Sequence, residues 1–180
     1  MALIKADGSG ETTNLTLSGY TDVQGRWVLD GKAILFFSDR AGFRSHGSWG
    51  AQSDAYLMFL TPDAYDDFRL DKEERALKKE MEKEAKPEET KPESKGKKDE
   101  KSSKEEAKAD KDSTKAATQL VFDLDNRRER VVRLTRHSSN LSDAYLNKDG
   151  SKLYYLASFE KGVDLWEQDF LENTTRLLSK

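Results

Sequence analysis

Two stretches of the chain follow the same order of turn, apolar run, polar loop and second apolar run. The first is Leu29-Asp30-Gly31-Lys32-Ala33-Ile34-Leu35-Phe36-Phe37-Ser38, leading to Ser53-Asp54-Ala55-Tyr56-Leu57-Met58-Phe59-Leu60. The second is Lys148-Asp149-Gly150-Ser151-Lys152-Leu153-Tyr154-Tyr155-Leu156-Ala157, leading to Gly162-Val163-Asp164-Leu165-Trp166-Glu167. Asp-Gly is a strong hairpin signal, because both central residues of a type I′ turn need positive φ, which Gly adopts freely and Asp tolerates. Short runs of aliphatic, β-branched and aromatic residues bounded by such turns read as strands. The pattern predicts strands over 33–38, 54–60, 152–157 and 163–168, with Trp27, Ile34, Phe36 and Tyr56 filling the space between neighbouring sheets. Trp166, Tyr154 and Tyr155 are also assigned to the core.

The similarity extends further in both directions. Leu15-Thr16 and Leu134-Thr135 lie 119 residues apart, the same offset as Gly31 and Gly150, so the two copies share one register. A partial copy brings Leu177 43 residues after Leu134, within the range of roughly 40–45 residues per four-stranded propeller blade. The expectation is an all-β chain of antiparallel β-propeller blades, about two of them, in an incomplete ring. Further strands are expected at 3–6, 12–16, 23–28, 120–124 and 143–147, with returns ending at Leu134 and near 174–178. The pattern opens partway through a strand, which predicts a chain drawn from something longer.

The extra length of the first copy lies in one charged stretch. From Asp71 to Lys115, 30 of 45 residues are charged, 15 of each sign, whereas all 17 aromatic residues lie elsewhere. Thr61-Pro62-Asp63 is a helix start, with Thr61 as N-cap and Pro62 at the first helical position. Only Phe68, Leu70, Ala76, Leu77 and Met81 supply an apolar stripe. The predicted division is therefore blade strands over 1–60, a charged insertion over 61–117, and blade strands over 118–180. Within the insertion a helix is expected over about 62–85, followed by a segment (86–115) with too little to bury to stay ordered.

Net charge is −3 and the lysines are interleaved with acids, which argues against nucleic-acid binding. There is no cysteine, hence no disulfide, thiol nucleophile or cysteine-based zinc site. No run is long and apolar enough for a membrane span, and the first residues do not form a secretory signal. The compartment stays open between cytoplasm and periplasm.

Candidate chemistry is concentrated in one long loop, Asp39 to Ser53. Asp39, Ser45, His46 and Ser48 have the residue types of a hydrolytic triad, but triads are assembled from separate elements on a rigid frame. No Gly-x-Ser-x-Gly elbow is present. His46 and His137 sit in different loops without metal-ligand spacing, and Asp63, Asp66, Asp67 and Asp71 are explained by the start of a helix. No catalytic residue, metal or cofactor is assigned. The binding candidates are Arg40, Phe43, Arg44 and Trp49, because Arg and Trp combine contact area with directed polar contacts. The alternatives are a pairing of Arg40 with an Asp of its own blade and packing of Trp49 onto a strand edge.

Asp30-Gly31-Lys32-x-Ile34-x-Phe36, the loop Ser38-Asp39-Arg40-Ala41-Gly42 and Asp54-x-Tyr56 resemble the propeller repeats of TolB-type proteins. They also resemble those in the N-terminal part of tricorn-type serine peptidases. The charged helical excursion after Leu60-Thr61-Pro62 favours the peptidase group. That resemblance implies a non-catalytic propeller segment that helps peptide access and assembly, with the remaining blades and a serine-peptidase domain as its partners. A TolB-type resemblance implies docking of partner proteins. Open blade edges also predict self-association into a homo-oligomer.

Overall fold

A computed structural model describes residues 1–44, 50–84, 120–159 and 162–179. Trp49, the triad types at Ser45, His46 and Ser48, and the expected unstructured segment over 86–115 lie outside the described residues. The architecture is antiparallel throughout. Two four-stranded sheets follow a two-stranded one. β1 (Ala2–Leu3) pairs with β2 (Thr13–Asn14). The first full sheet contains β3 (Asp22–Val28), β4 (Ala33–Ser38), β5 (Asp54–Phe59) and β6 (Val131–Arg133), paired in that order. The second contains β7 (Asn140–Leu146), β8 (Lys152–Ser158), β9 (Asp164–Asp169) and β10 (Thr174–Ser179), again each beside the next. These are the simple meanders of propeller blades. The partial third copy read from sequence at 165–177 is the outer half of the second blade.

The shared register holds at the level of single bonds. Leu134 N–H donates to Ala55 O at 2.8 Å, and Ala55 N–H to Thr135 Oγ1 at 3.2 Å. One copy earlier, Leu15 N–H donates to Met1 O at 2.9 Å, and the Met1 ammonium to Thr16 Oγ1 at 3.0 Å. β1 and β2 therefore pair in the same register as β5 and β6. The inner strands β3 and β7 are also both bulged near the same place, between Val23 and Arg26 and between Leu141 and Asp143. A bulge twists an inner strand and blunts its free edge.

The turns differ where the sequence suggested identity. In the first, Asp30 and Gly31 both have positive φ, 53° and 83°, and Leu29 joins them at 52°. In the second, Gly150 alone does, at 72°, and the Asp149 carboxylate instead accepts from Ser151 N–H at 3.0 Å and Ser151 Oγ at 2.7 Å. That side-chain turn replaces one left-handed residue.

β4 and β5 are buried over their whole length, as near-continuous apolar runs should be when both faces are covered. One face packs Ala33, Leu35, Phe37, Leu57 and Phe59 against Ala144, Leu146, Leu153, Tyr155 and Ala157 of the second sheet. The other packs Ile34, Phe36, Tyr56 and Met58 against Leu15, Leu3 and Met1. Trp27 does not join them. It is 54% exposed and stacks on Phe122 with centroids 6.0 Å apart. It lies on β3, the edge strand of its sheet, beside the short β1–β2 pair, with which it bounds a cleft. Trp166 is half-buried beside Phe159, and Tyr154 lies on the far face of the second sheet, where it pairs in register with Glu167. On that face Glu167 occupies the register position held by Leu57 in the first sheet. Lys152 and Arg176 pair with it at 3.5 and 2.7 Å.

The expected single helix is two. α1 (Pro62–Arg69) and α2 (Lys72–Glu84) are separated at Leu70-Asp71. Thr61 is extended but its hydroxyl makes no capping bond. The functioning cap is Asp71. Glu74 N–H donates to its carboxylate at 2.8 Å, and Asp71 N–H donates to Glu74 at 2.9 Å, a reciprocal capping box. α1 covers the ends of both sheets, with Phe68 5.2 Å from Phe59 and 5.5 Å from Phe170. Lys72 and Glu172 tie α2 to the second sheet at 2.5 Å.

The strand expected over 120–124 is absent. Phe122 and Leu124 pack on the core from an irregular segment whose Asp123 and Leu124 carbonyl groups accept from two buried arginines. From a 3-10 turn over Arg127–Arg130, Arg127 donates to Leu15 O at 2.8 Å and Asn14 O at 2.5 Å. Arg130 donates to Phe59 O at 3.3 Å and Asp123 O at 2.5 Å.

Candidate functional site: a loop face on a buried polar frame

Asp22, Ser38 and Asp54 pair across β3, β4 and β5, so the same end of the first sheet carries all three. Ser38 and Asp54 are fully buried. The Asp54 carboxylate accepts from Arg133 at 2.8 Å, Thr135 Oγ1 at 2.7 Å and Ser138 Oγ at 2.7 Å. Arg133 ends β6 and the two hydroxyls come from the connection to the second sheet, which a further bridge between Ser53 and Ser139 holds in place. Asp22 accepts from Arg40 at 2.8 Å and from Ser18.

Arg40 is the keystone of this frame. Its Nε donates to Ser38 Oγ at 2.9 Å, and its guanidinium lies over Tyr56, Phe36 and Tyr20 at 4.9, 5.3 and 5.8 Å. A planar cation with ring faces around it and directed bonds at its rim has little freedom left. Arg40 therefore positions the loop and does not project from it. The carboxylate at Asp22 illustrates the electrostatics. Burial alone would raise its pKa, but bonds from Ser18, Ser38, Arg40 and Thr16 together hold it below the ordinary value. A depressed folded-state pKa means stability that is present above the unfolded value of about 3.9 and is lost as pH falls through the lower folded value. Asp22→Asn should accordingly flatten the acid limb of a stability-versus-pH curve followed by urea melts. An unchanged acid limb would show that Asp22 is not linked to folding.

Above the frame the exposed groups change character. Arg44 is half-exposed, pairs with Asp39 at 2.9 Å and lies over the Tyr20 ring at 5.1 Å. Tyr20 thus meets two guanidinium groups. Phe43 is 72% exposed, with its carbonyl accepting from Gln52 N–H at 2.8 Å to close the loop stem. Of the four sequence candidates, then, Phe43 and Arg44 face outward together, Arg40 lies beneath them and Trp49 is outside the described residues. Tyr20 was missed, since Gly19-Tyr20-Thr21-Asp22 reads only as a connection and ring stacking leaves no spacing signal. Asp39 is occupied by Arg44 and by Thr21 N–H at 3.0 Å. Beside Tyr20 lies a depression of about 280 Å³ bounded by Leu17, Ser18, Arg40, Arg128 and Val131. Among the described residues no group of three His, Cys, Asp or Glu is placed to hold a metal ion, and no helix is long and apolar enough to cross a membrane. The face offers contact chemistry: an aromatic ring, a half-exposed cation and a stacked tyrosine on a fixed base.

No protein-family model matches the chain, and no curated protein matches it in sequence. Among solved structures it is similar to the crystal structure of the tricorn protease, with 10% identity and a TM-score of 0.51. The match covers 99% of this chain and 15% of that one. At such low identity the likeness shows the fold alone: partial antiparallel blades of a propeller. The chain spans about 15% of the length of that protease.

Proposed function

We propose that this chain is a non-catalytic propeller segment of a tricorn-like peptidase, and that its loop face helps guide peptides toward an active site elsewhere. The observation that carries the reading is the pairing of an exposed Phe43 and Arg44 with a base fixed by Arg40, in a chain whose fold matches part of the tricorn protease. Aromatic and guanidinium groups on a rigid frame suit sequence-tolerant contact with extended peptides, through stacking and bonds to carbonyl oxygens. Adjacent blades and a peptidase domain are the partners that this role requires. The rival role, docking of folded partners as in TolB-type propellers, uses the same face.

The experiment places a photoreactive phenylalanine at Phe43, with a control at Val121, which is 81% exposed toward the other end of the first sheet. Denatured casein fragments should cross-link at position 43 and not at 121, and Arg44→Glu should reduce the yield severalfold. Cross-links to folded proteins alone would favour the docking role. Equal yields at both positions would end the peptide-guiding reading.

A further inference from the structure

The depression beside Tyr20 is lined differently from the face next to it. Its volume is about 280 Å³. Its walls come from residues 16–20 leading into β3, from Arg40 after β4, and from Arg128 and Val131 where β6 begins. No aspartate or glutamate lines it. The acid beneath, Asp22, is already engaged, since its carboxylate accepts from Arg40 at 2.8 Å and from Ser18. Two arginines therefore border a pocket that has no lining carboxylate to answer them.

The two guanidinium groups play different parts. Arg40 is fixed, with Nε on Ser38 and Nη2 on Asp22, and among the described residues its Nη1 has no acceptor. Arg127 and Arg130 of the 3-10 turn are buried and donate to main-chain carbonyl groups. Arg128, between them, is exposed and has no partner among the described residues. The connection adds further donors. Leu17 N–H is taken by Asn14 and Thr21 N–H by Asp39, whereas those of Ser18, Gly19 and Tyr20 have no acceptor among the described residues. Successive free N–H groups beside a cation suit an oxyanion. Leu17 and Val131 give the pocket an apolar wall, which fits the methylene stem of an acidic side chain.

We infer that this depression is a pocket for an acidic side chain, taking the carboxylate of a glutamate or aspartate in a peptide that lies on the loop face. Tyr20 joins the two surfaces, because it lines the pocket and also stacks with Arg44 at 5.1 Å. A guanidinium group presents a planar fork that matches a carboxylate. The charge of Arg40 is balanced by Asp22, so preference for the ionised side chain falls to Arg128. The inference rests on the peptide-guiding reading and gives that face a selectivity that Phe43 and Arg44 do not supply.

The test uses the full chain and short, fluorescently labelled, alanine-rich peptides, blocked at both ends, that carry a phenylalanine and either glutamate or glutamine near it. Fluorescence anisotropy should show the glutamate peptide binding about fivefold more tightly, with the ratio shrinking as salt is raised. Arg128→Gln should bring the ratio close to one, and Arg128→Lys should restore part of it. Equal affinities in the parent chain, or a glutamate preference that survives Arg128→Gln, would overturn the inference. So would a glutamine peptide with a free terminal carboxylate that binds as tightly as the blocked glutamate peptide, because the pocket would then read chain ends. A photoreactive residue at position 43 separates this inference from the reading beneath it. Both blocked peptides should cross-link there. Equal affinities with cross-links retained would remove the pocket alone, whereas no cross-link from either peptide would overturn the guiding role and the pocket together.

Discussion

Phe59→Ala should destabilise the chain by about 3–5 kcal/mol, the range for emptying a fully buried phenylalanine site. Phe59 has no exposed surface, and its ring meets Tyr65 at 5.5 Å and Phe68 at 5.2 Å. It also lies in the layer shared with the second sheet. The substitution thus leaves a cavity where three elements converge, and of the ring contacts that seat α1 only Phe68 on Phe170 remains. Two measurements check it. The urea midpoint should fall, and hydrogen exchange over 62–69 should accelerate well beyond that of β8. A midpoint within error of the wild type would mean that α1 does not rest on the sheet.

Asp54→Ala should be of similar size, about 3–5 kcal/mol, for a different reason. Removing one member of a buried, charge-assisted cluster leaves its partners desolvated and unpaired. Here the stranded groups are the Arg133 guanidinium and the hydroxyls of Thr135 and Ser138, all donors to one carboxylate. Because Thr135 also accepts from Ala55 N–H, the disturbance reaches the backbone register of β5. Asp54→Asn should lose less, since it retains one acceptor oxygen of nearly the same shape. Urea denaturation of the two variants gives the ranking, and an Asn variant as damaged as the Ala variant would show that charge, not bonding capacity, holds the frame.

Much of the fold was legible because its strongest signals are local. An Asp-Gly turn beside a continuous apolar run identifies a hairpin without reference to distant residues, and β4 falls where that pattern places it. The equal offset between copies carried the topology further than any single motif. Trp27 was misjudged for a physical reason. An aromatic residue two positions before a turn reads as core, and only the order of strands shows that β3 is the edge of its sheet. The break between α1 and α2 was present as Asp71-Lys72-Glu73-Glu74, but a reading centred on Thr61 gave the start of the helix to the wrong oxygen. The segment around Phe122 has strand-like composition, and two arginines 5 and 8 residues downstream claim its surroundings instead. Within the candidate site, Phe43 and Arg44 were visible as residue types. The burial of Arg40 between rings was not, because it depends on side chains from four separate segments.

Sequence separation within the first sheet also bears on how the molecule is assembled. β5 ends at Phe59 and its neighbour β6 begins at Val131, whereas β9 and β10 are joined through a turn over 170–173. Closing the longer connection forfeits about 2–3 kcal/mol more chain entropy than a tight turn does. The second sheet can therefore form from local contacts alone, and the first must wait for a distant edge strand to arrive. Refolding should begin in the C-terminal third of the chain, with Val131–Arg133 the last ladder to zip shut.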